Sequence, residues 1–198
     1  MAEIRDAHAC DIPGVYRVCL LADDPDWPGD DDRRNPDLVG HVYAGPYVVG
    51  PDTLARVVVD DEGVAGYLLA ATDTAAFELW CEAEWWPVLR RQYPLGAGAA
   101  EDAWLIERIH APERPPVAVA LDEHPAHLHI DLLPRVRGTG AGGRLMRWLF
   151  AELASRGVPG VHLGVGSGNA NAIAFYEHLG FMTASDDGDT RWMVRRLA

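Results

Sequence analysis

The stretch 127–150, "HLHIDLLPRVRGTGAGGRLMRWLF", changes its periodicity twice. From His127 to Leu133 polar and apolar residues alternate, with His127, His129 and Asp131 on one side and Leu128, Ile130 and Leu132 on the other. A period of two with unlike faces is a strand. Pro134 ends it, and Arg135 and Arg137 lead into Gly138, Gly140, Gly142 and Gly143. From Gly140 to Ser155 the apolar residues return at helical spacing, which predicts Leu145, Trp148, Leu149 and Leu153 inward. Strand, glycine-rich bend and helix in that order make a cradle for an anion. Residues without side chains let consecutive backbone N–H groups converge, and the helix N-terminus adds a partial positive charge.

Two phosphate loops fail on inspection. A Walker A loop needs a Lys-Ser/Thr pair after its last glycine, and Gly143 is followed by Arg144 and Leu145. The dinucleotide pattern G-x-G-x-x-G is met by Gly138, Gly140 and Gly143. Residues 134–137 separate it from its strand, however, and the next apolar run, "GVHLGVGSG", lacks the acid that grips a ribose. Arg135-x-x-Gly138-x-Gly140 instead resembles the R/Q-x-x-G-x-G/A loop of the GNAT N-acetyltransferases, and "NANAIAFYEHLGF" (169–181) resembles their second signature. Further upstream, "GVYRVCLLADD", "NPDLVGHVYAGPYVV", "EGVAGYLLAATDTAAF" and "CEAEWWPVLRRQYP" resemble the acetyltransferase-like domain of O-GlcNAcases and its free-standing bacterial relatives. The resemblance implies a GNAT acyl-CoA N-acyltransferase fold, with acetyl-CoA as cosubstrate and its pyrophosphate as the anion.

Around that centre the chain reads as a mixed α/β sheet in one domain, 1–198. Residues 2–7 suggest an edge strand, and Asp11 an N-cap for a helix with Ile12, Val15, Tyr16, Val18, Cys19 and Leu20 on one face. Asp23 to Asp32, dense in Asp, Pro and Gly, reads as an exposed loop. "LARVVVDDEGVAGYLLAAT" is a hairpin turning at residues 60–63. Residues 77–93 have helical spacing that Pro87 should break, and "AEDAWLIERIHA" gives a second helix; together they form a helical insertion of about 75–122. Trp80, Trp85 and Trp86 are expected to pack it onto the sheet, one of them walling the acceptor site. "GVHLGVG" reads as a buried strand, 169–180 as a helix stopped at Gly180, and 191–196 as the last strand.

The balance of 17 Lys+Arg against 30 Asp+Glu, a formal −13, excludes nucleic acid and anionic membranes as natural partners. It suits a cationic acceptor, a small-molecule amine or a lysine side chain, which the acidic loop would steer. Cys10, Cys19 and Cys81 form no C-x-x-C pair and read as buried thiols in a reducing cytoplasm. The N-terminus is not a signal peptide, and no apolar run reaches the ~18 residues of a span. Together these point to a cytoplasmic protein.

The resemblance also assigns roles. The strand 127–133 would splay from 161–165 and take the pantetheine arm between them. Backbone groups of Leu132 and Leu133 would bind its amides, and the N–H near Ile130 would polarise the thioester. Arg135, Arg137, Gly138, Thr139, Gly140, Ala141, Gly142, Gly143 and Arg144 would hold the pyrophosphate, Asn169 and Asn171 would reach the cofactor, and Tyr176 would protonate the departing thiolate. His129 and Asp131 are the candidate base and orienter, acting directly or through water with either as the base, because a primary ammonium of pKa ~10.4 must lose a proton before it attacks. Zinc is the rival use of H-x-H-x-D, but Leu132 stands where a further histidine belongs, and strand neighbours ~7 Å apart chelate poorly. An acetyl-CoA-binding pseudo-acetyltransferase, serving as sensor or interaction module, stays open beside the enzyme. So does a homodimer.

Overall fold

The computed structural model describes residues 2–23 and 34–197. Its elements are β1 (Glu3–Asp6), α1 (Ile12–Asp23), α2 (Leu38–Tyr43), α3 (Gly45–Val49), β2 (Thr53–Asp60) and β3 (Gly63–Ala71). They continue with α4 (Thr74–Trp80), α5 (Trp86–Gln92), α6 (Ala103–His110), β4 (Ala126–Leu132), α7 (Ala141–Ser155), β5 (Gly160–Gly166), α8 (Ala170–His178), β6 (Met182–Asp186) and β7 (Thr190–Arg196). The sheet runs β1-β2-β3-β4-β5-β7-β6, antiparallel throughout except where β4 meets β5. This is the α/β architecture expected, with helices on both faces.

Strand alternation sorts the core into two layers. Val57, Tyr67 and Leu69 face α1 and α6, where Val15, Val18, Leu105, Ile106 and Ile109 lie buried. Val58, Leu68 and Leu128 face α7 and α8, against Leu145, Met146, Leu149 and Leu153. Trp148, expected inward, is only half-buried, and the Arg56 guanidinium lies 4.3 Å over its ring. An indole this wide can cover the layer's edge and still hold a cation on its face.

Several local readings need correction. Asp11 does not cap α1. The chain begins to coil one turn earlier, at Ala9, so the Asp11 carboxylate reaches back to the His8 N–H (2.9 Å) and to both Arg5 guanidinium nitrogens (2.7 Å each). Cys10 is exposed, whereas Cys19 and Cys81 are buried. The break expected at Pro87 is real but starts earlier. Residues 81–85 form a π-turn in which the Trp86 N–H donates to the Cys81 carbonyl, five residues back. Widening the helix there lets Pro87 enter α5 at its second residue without clashing with the carbonyl behind it. Trp80 and Trp85 stack on each other against the core layer that includes Val57, Tyr67 and Leu69, and the Trp85 indole N–H also ties the insertion to α2 by donating to the His41 carbonyl at 2.9 Å. The acidic loop expected at 23–32 lies, beyond Asp23, outside the described residues. Among the described residues no helix is long and apolar enough to cross a membrane.

The element that positions the site is β4. On one side it pairs with β3 over six residues, Gly66↔Leu132 to Ala71↔His127. On the other it pairs with β5 only at Ala126↔Val161 and His127↔His162, after which the strands part. Gly66 lets β3 press against β4 at this point, since a Cβ there would meet the Leu132 side chain and lie 2.9 Å from the Asp131 carbonyl oxygen. Gly66→Ala should therefore cost about 1–3 kcal/mol, lowering the melting temperature by roughly 3–10 °C. An unchanged melting temperature would contradict this account of the β3–β4 contact.

Candidate active site

Where β4 and β5 part, backbone groups lose their ladder partners. The Leu133 N–H donates to the Ala65 carbonyl at 2.8 Å, which fixes the alternation along β4. His129, Asp131 and Leu133 direct their backbone groups to β3, and Ile130 and Leu132 direct theirs into the gap. The Leu132 carbonyl is taken by Arg137 Nε at 2.7 Å. The N–H groups of Ile130 and Leu132 face the opening that a continued β5 would have filled.

At the end of the gap sits the glycine loop. Gly138 and Gly140 have φ of +74° and +78°, the left-handed region that glycine enters without strain. Because Gly140 is left-handed, α7 starts at Ala141, and no side chain caps it. The first helical N–H groups are thus left for an incoming acceptor. The loop is braced from within by Thr139 Oγ1 donating to the Val136 carbonyl (2.8 Å) and Arg144 Nη1 to the Thr139 carbonyl (3.2 Å). Gly142 is a packing glycine, with Leu132 and Phe175 each 3.4 Å from where its Cβ would be. The Arg135 side chain turns to the hairpin. Its Nε lies 2.6 Å from the Asp60 carboxylate at the β2–β3 turn. Arg137, Arg144 and Arg147 are exposed cations near the glycines, with Arg144 and Arg147 within 4 Å of where a Cβ on Gly140 and Gly143 would stand.

The α8 helix flanks the gap. Asn169 Oδ1 accepts the Ala172 N–H at 3.1 Å as an N-cap, and Asn171 is exposed on the first turn. Tyr176 is 8% exposed between Phe175 and Phe181, and among the described residues its hydroxyl has no hydrogen-bond partner. Burial raises its pKa above the ordinary phenol value, and the Asp131 charge raises it further, so the phenol stays protonated.

On the other face of the sheet, a cavity of about 330 Å³ is lined from both sides of the gap, by His127, Leu128 and His129 of β4 and by His162 to Gly166 of β5. Tyr43, Tyr47, Phe77, Trp86 and Trp192 give it aromatic walls, and Glu78, Glu82 and Glu113 with Arg108 and Arg114 stand at its margin. Glu82 is paired with Arg90 and Glu113 with Arg108, each at 2.8 Å, but Glu78 meets Arg114 only at 3.7 Å. Burial raises the Glu78 pKa.

The expected partnership of His129 with Asp131 does not form as a direct contact. Side chains two apart on one strand point the same way without meeting, so each finds a tyrosine instead. His129 Nε2 lies 3.1 Å from the Tyr47 hydroxyl, and the Tyr67 hydroxyl donates to the Asp131 carboxylate. Burial raises the Asp131 pKa, against the lowering effects of the Tyr67 hydrogen bond and the Arg137 charge. Two further residues belong to the site and were not anticipated. Tyr47 stands on a short helix in a segment whose Gly40, Gly45 and Pro46 hide any periodicity. His162 interrupts an otherwise apolar strand, and a polar residue in such a run was the available signal. Its Nδ1 donates to the His124 carbonyl at 2.8 Å. Among the described residues no group of three metal-ligating side chains is arranged around a common point.

Burial keeps these imidazoles neutral. It pushes His129 and His162 each down to about 4, and His127 well below the usual range. His162 also repels a second charge on His127 and His129. In the unfolded chain a histidine takes its proton near pH ~6.5. Between pH ~6.5 and ~4 the unfolded chain therefore binds more protons, and stability is lost as the pH falls through that window. Lowering the pH from 6.5 to 5 should cost about 2 kcal/mol per histidine, roughly 4–8 °C each in melting temperature. A His162→Gln variant should show a shallower slope; equal slopes, or a flat profile, would contradict neutral burial.

Residues 22–181 match the Acetyltransferase (GNAT) family. The mouse protein O-GlcNAcase is 24% identical over 180 residues, 89% of this chain, which spans about one fifth of that relative's length. The crystal structure of SsHAT is 32% identical and superposes with a TM-score of 0.80, covering 100% of this chain and 98% of that one. The PaiA N-acetyltransferase from Thermoplasma acidophilum, solved in complex with coenzyme A, is 14% identical with a TM-score of 0.61 over 99% of each chain, a likeness of fold. The match across most of the chain, joined to the splayed strands and glycine loop, settles the family: this chain belongs to the GNAT acetyltransferases.

Proposed function

We propose that the protein is an acetyl-CoA-dependent N-acetyltransferase acting on a primary amine. The observation that carries this is the junction of gap and cavity. The strands that part to admit a pantetheine arm also form the floor of an aromatic-walled pocket, so an acyl group and an amine would meet there from opposite faces of the sheet. The pyrophosphate would rest on the loop 137–144 and the N-terminus of α7, with Arg137 and Arg144 beside it. The pantetheine amides would pair with the Leu132 N–H and its neighbours, and the Ile130 N–H would polarise the thioester carbonyl as charge develops on its oxygen.

An ammonium is no nucleophile, and an imidazole near pKa 4 cannot strip one of pKa ~10.4 except at a cost of about 9 kcal/mol. The amine therefore reacts as its neutral form, and His129 takes the proton that the nitrogen sheds once it has bonded to the acyl carbon. Carbon–sulfur cleavage then releases a thiolate, to which the Tyr176 hydroxyl donates first a hydrogen bond and then the proton. The products are an amide and free CoA, and the enzyme is restored when the proton on His129 passes to solvent and Tyr176 takes one back. Glu78, the margin carboxylate with the loosest ion pair, is suited to receive the cationic acceptor before it is deprotonated.

A second reading has one observation in its favour. His127, His129 and Asp131 are each already hydrogen-bonded within the protein, as a CoA-binding module without turnover would allow.

Calorimetric titration separates these readings from failure of both. Acetyl-CoA should bind the wild type and not Gly140→Glu, whose carboxylate would occupy the phosphate cradle. Tyr176→Phe should bind normally yet release CoA about 10²–10³-fold more slowly in an amine screen. Binding with no release for any amine would favour the module, and no binding to the wild type would sink both.

A further inference from the structure

Behind His129 runs a chain of four hydrogen bonds whose direction is fixed at one end. The Thr74 hydroxyl lies 2.7 Å from the Pro125 carbonyl and 2.7 Å from His127 Nδ1. A carbonyl only accepts, so the single hydroxyl proton must go to it; otherwise two oxygens would face each other at that distance with no proton between them. Thr74 thus accepts from His127, and His127 Nδ1 carries a proton. Since burial keeps His127 neutral, its Nε2 is a lone pair, and the Tyr47 hydroxyl at 2.7 Å must donate to it. With its proton committed, the Tyr47 oxygen can only accept from His129 Nε2 at 3.1 Å. His129 is therefore protonated on Nε2. Among the described residues its Nδ1 has no hydrogen-bond partner.

We propose that Thr74, His127 and Tyr47 are positioning residues that hold His129 in the Nε2–H tautomer and so make Nδ1 its basic atom. This rests on the reading of His129 as the base, and refines it. The Nε2–H already donates, so a proton arriving at Nδ1 requires no hydrogen bond to break or turn, and the new charge strengthens the bond to Tyr47. His162 serves as an internal reference, because the His124 carbonyl fixes its opposite tautomer, Nδ1–H, without any link to Tyr47.

The test is a long-range ¹H–¹⁵N spectrum of the uniformly labelled full chain at neutral pH. The His127 and His129 rings are assigned by the signals lost in His127→Gln and His129→Gln. The wild type should show His129 protonated on Nε2, with His127 and His162 protonated on Nδ1. In Tyr47→Phe the His129 signals should move to those of mixed tautomers while His162 stays unchanged. Thr74→Val should release His127 in the same way. His129 protonated on Nδ1 in the wild type would overturn the proposal, whether or not any variant folds. So would His129 signals in a folded Tyr47→Phe that match the wild type. The readout needs neither acetyl-CoA nor turnover, so a failure of acetyl-CoA to bind would count against the enzyme and not against the tautomers.

Discussion

Two strands that run in register for two residues and then diverge leave a seam of backbone N–H groups in the middle of a seven-stranded sheet, and the rest of the site is arranged along that seam. Unpartnered amides inside a sheet are costly unless water or a ligand satisfies them. The fold holds them open by gripping β4 from the other side. Six residue pairs hold β4 to β3, pressed close at Gly66, while β5 stays paired with β7 along its whole length. A continued β4–β5 ladder would satisfy these amides and abolish the site.

The seam divides the chemistry by face. Leu128, Ile130 and Leu132 belong to the apolar layer under α7 and α8, the side on which the glycine loop and Tyr176 lie. His127, His129 and Asp131 face α1 to α6, where a purely apolar layer would have left them without partners. Tyr47 and Thr74 supply partners to the two imidazoles, which are satisfied without being charged, and Tyr67 supplies one to the Asp131 carboxylate. That neutrality suits a base that must accept a proton late in a reaction rather than hold one beforehand.

Much of this was legible in the residues themselves. The alternation from His127 to Leu133 gave β4 with its polar face, and the glycines with the second signature at 169–181 marked the loop and α8. What escaped had physical reasons. The α2–α3 segment is interrupted by Gly40, Gly45 and Pro46, so no period reveals it, and Tyr47 went unnoticed with it. β6 is a short edge strand, largely exposed, with no apolar alternation to read. The partners of Arg135 and His129 could not be read from the residues, because closeness in sequence does not say which neighbour a side chain reaches. Asp60 and Tyr47 lie 75 and 82 residues away from Arg135 and His129.

The gap between β4 and β5 would seat an acyl thioester. A crystal structure of the protein with acetyl-CoA measures this directly. The thioester oxygen is expected within hydrogen-bond distance, about 3 Å, of the Ile130 N–H, with the sulfur beside the Tyr176 hydroxyl and the methyl group pointing toward His129. A cofactor bound outside the gap, or strands closed into a continuous ladder with the acetyl group in solvent, would contradict it.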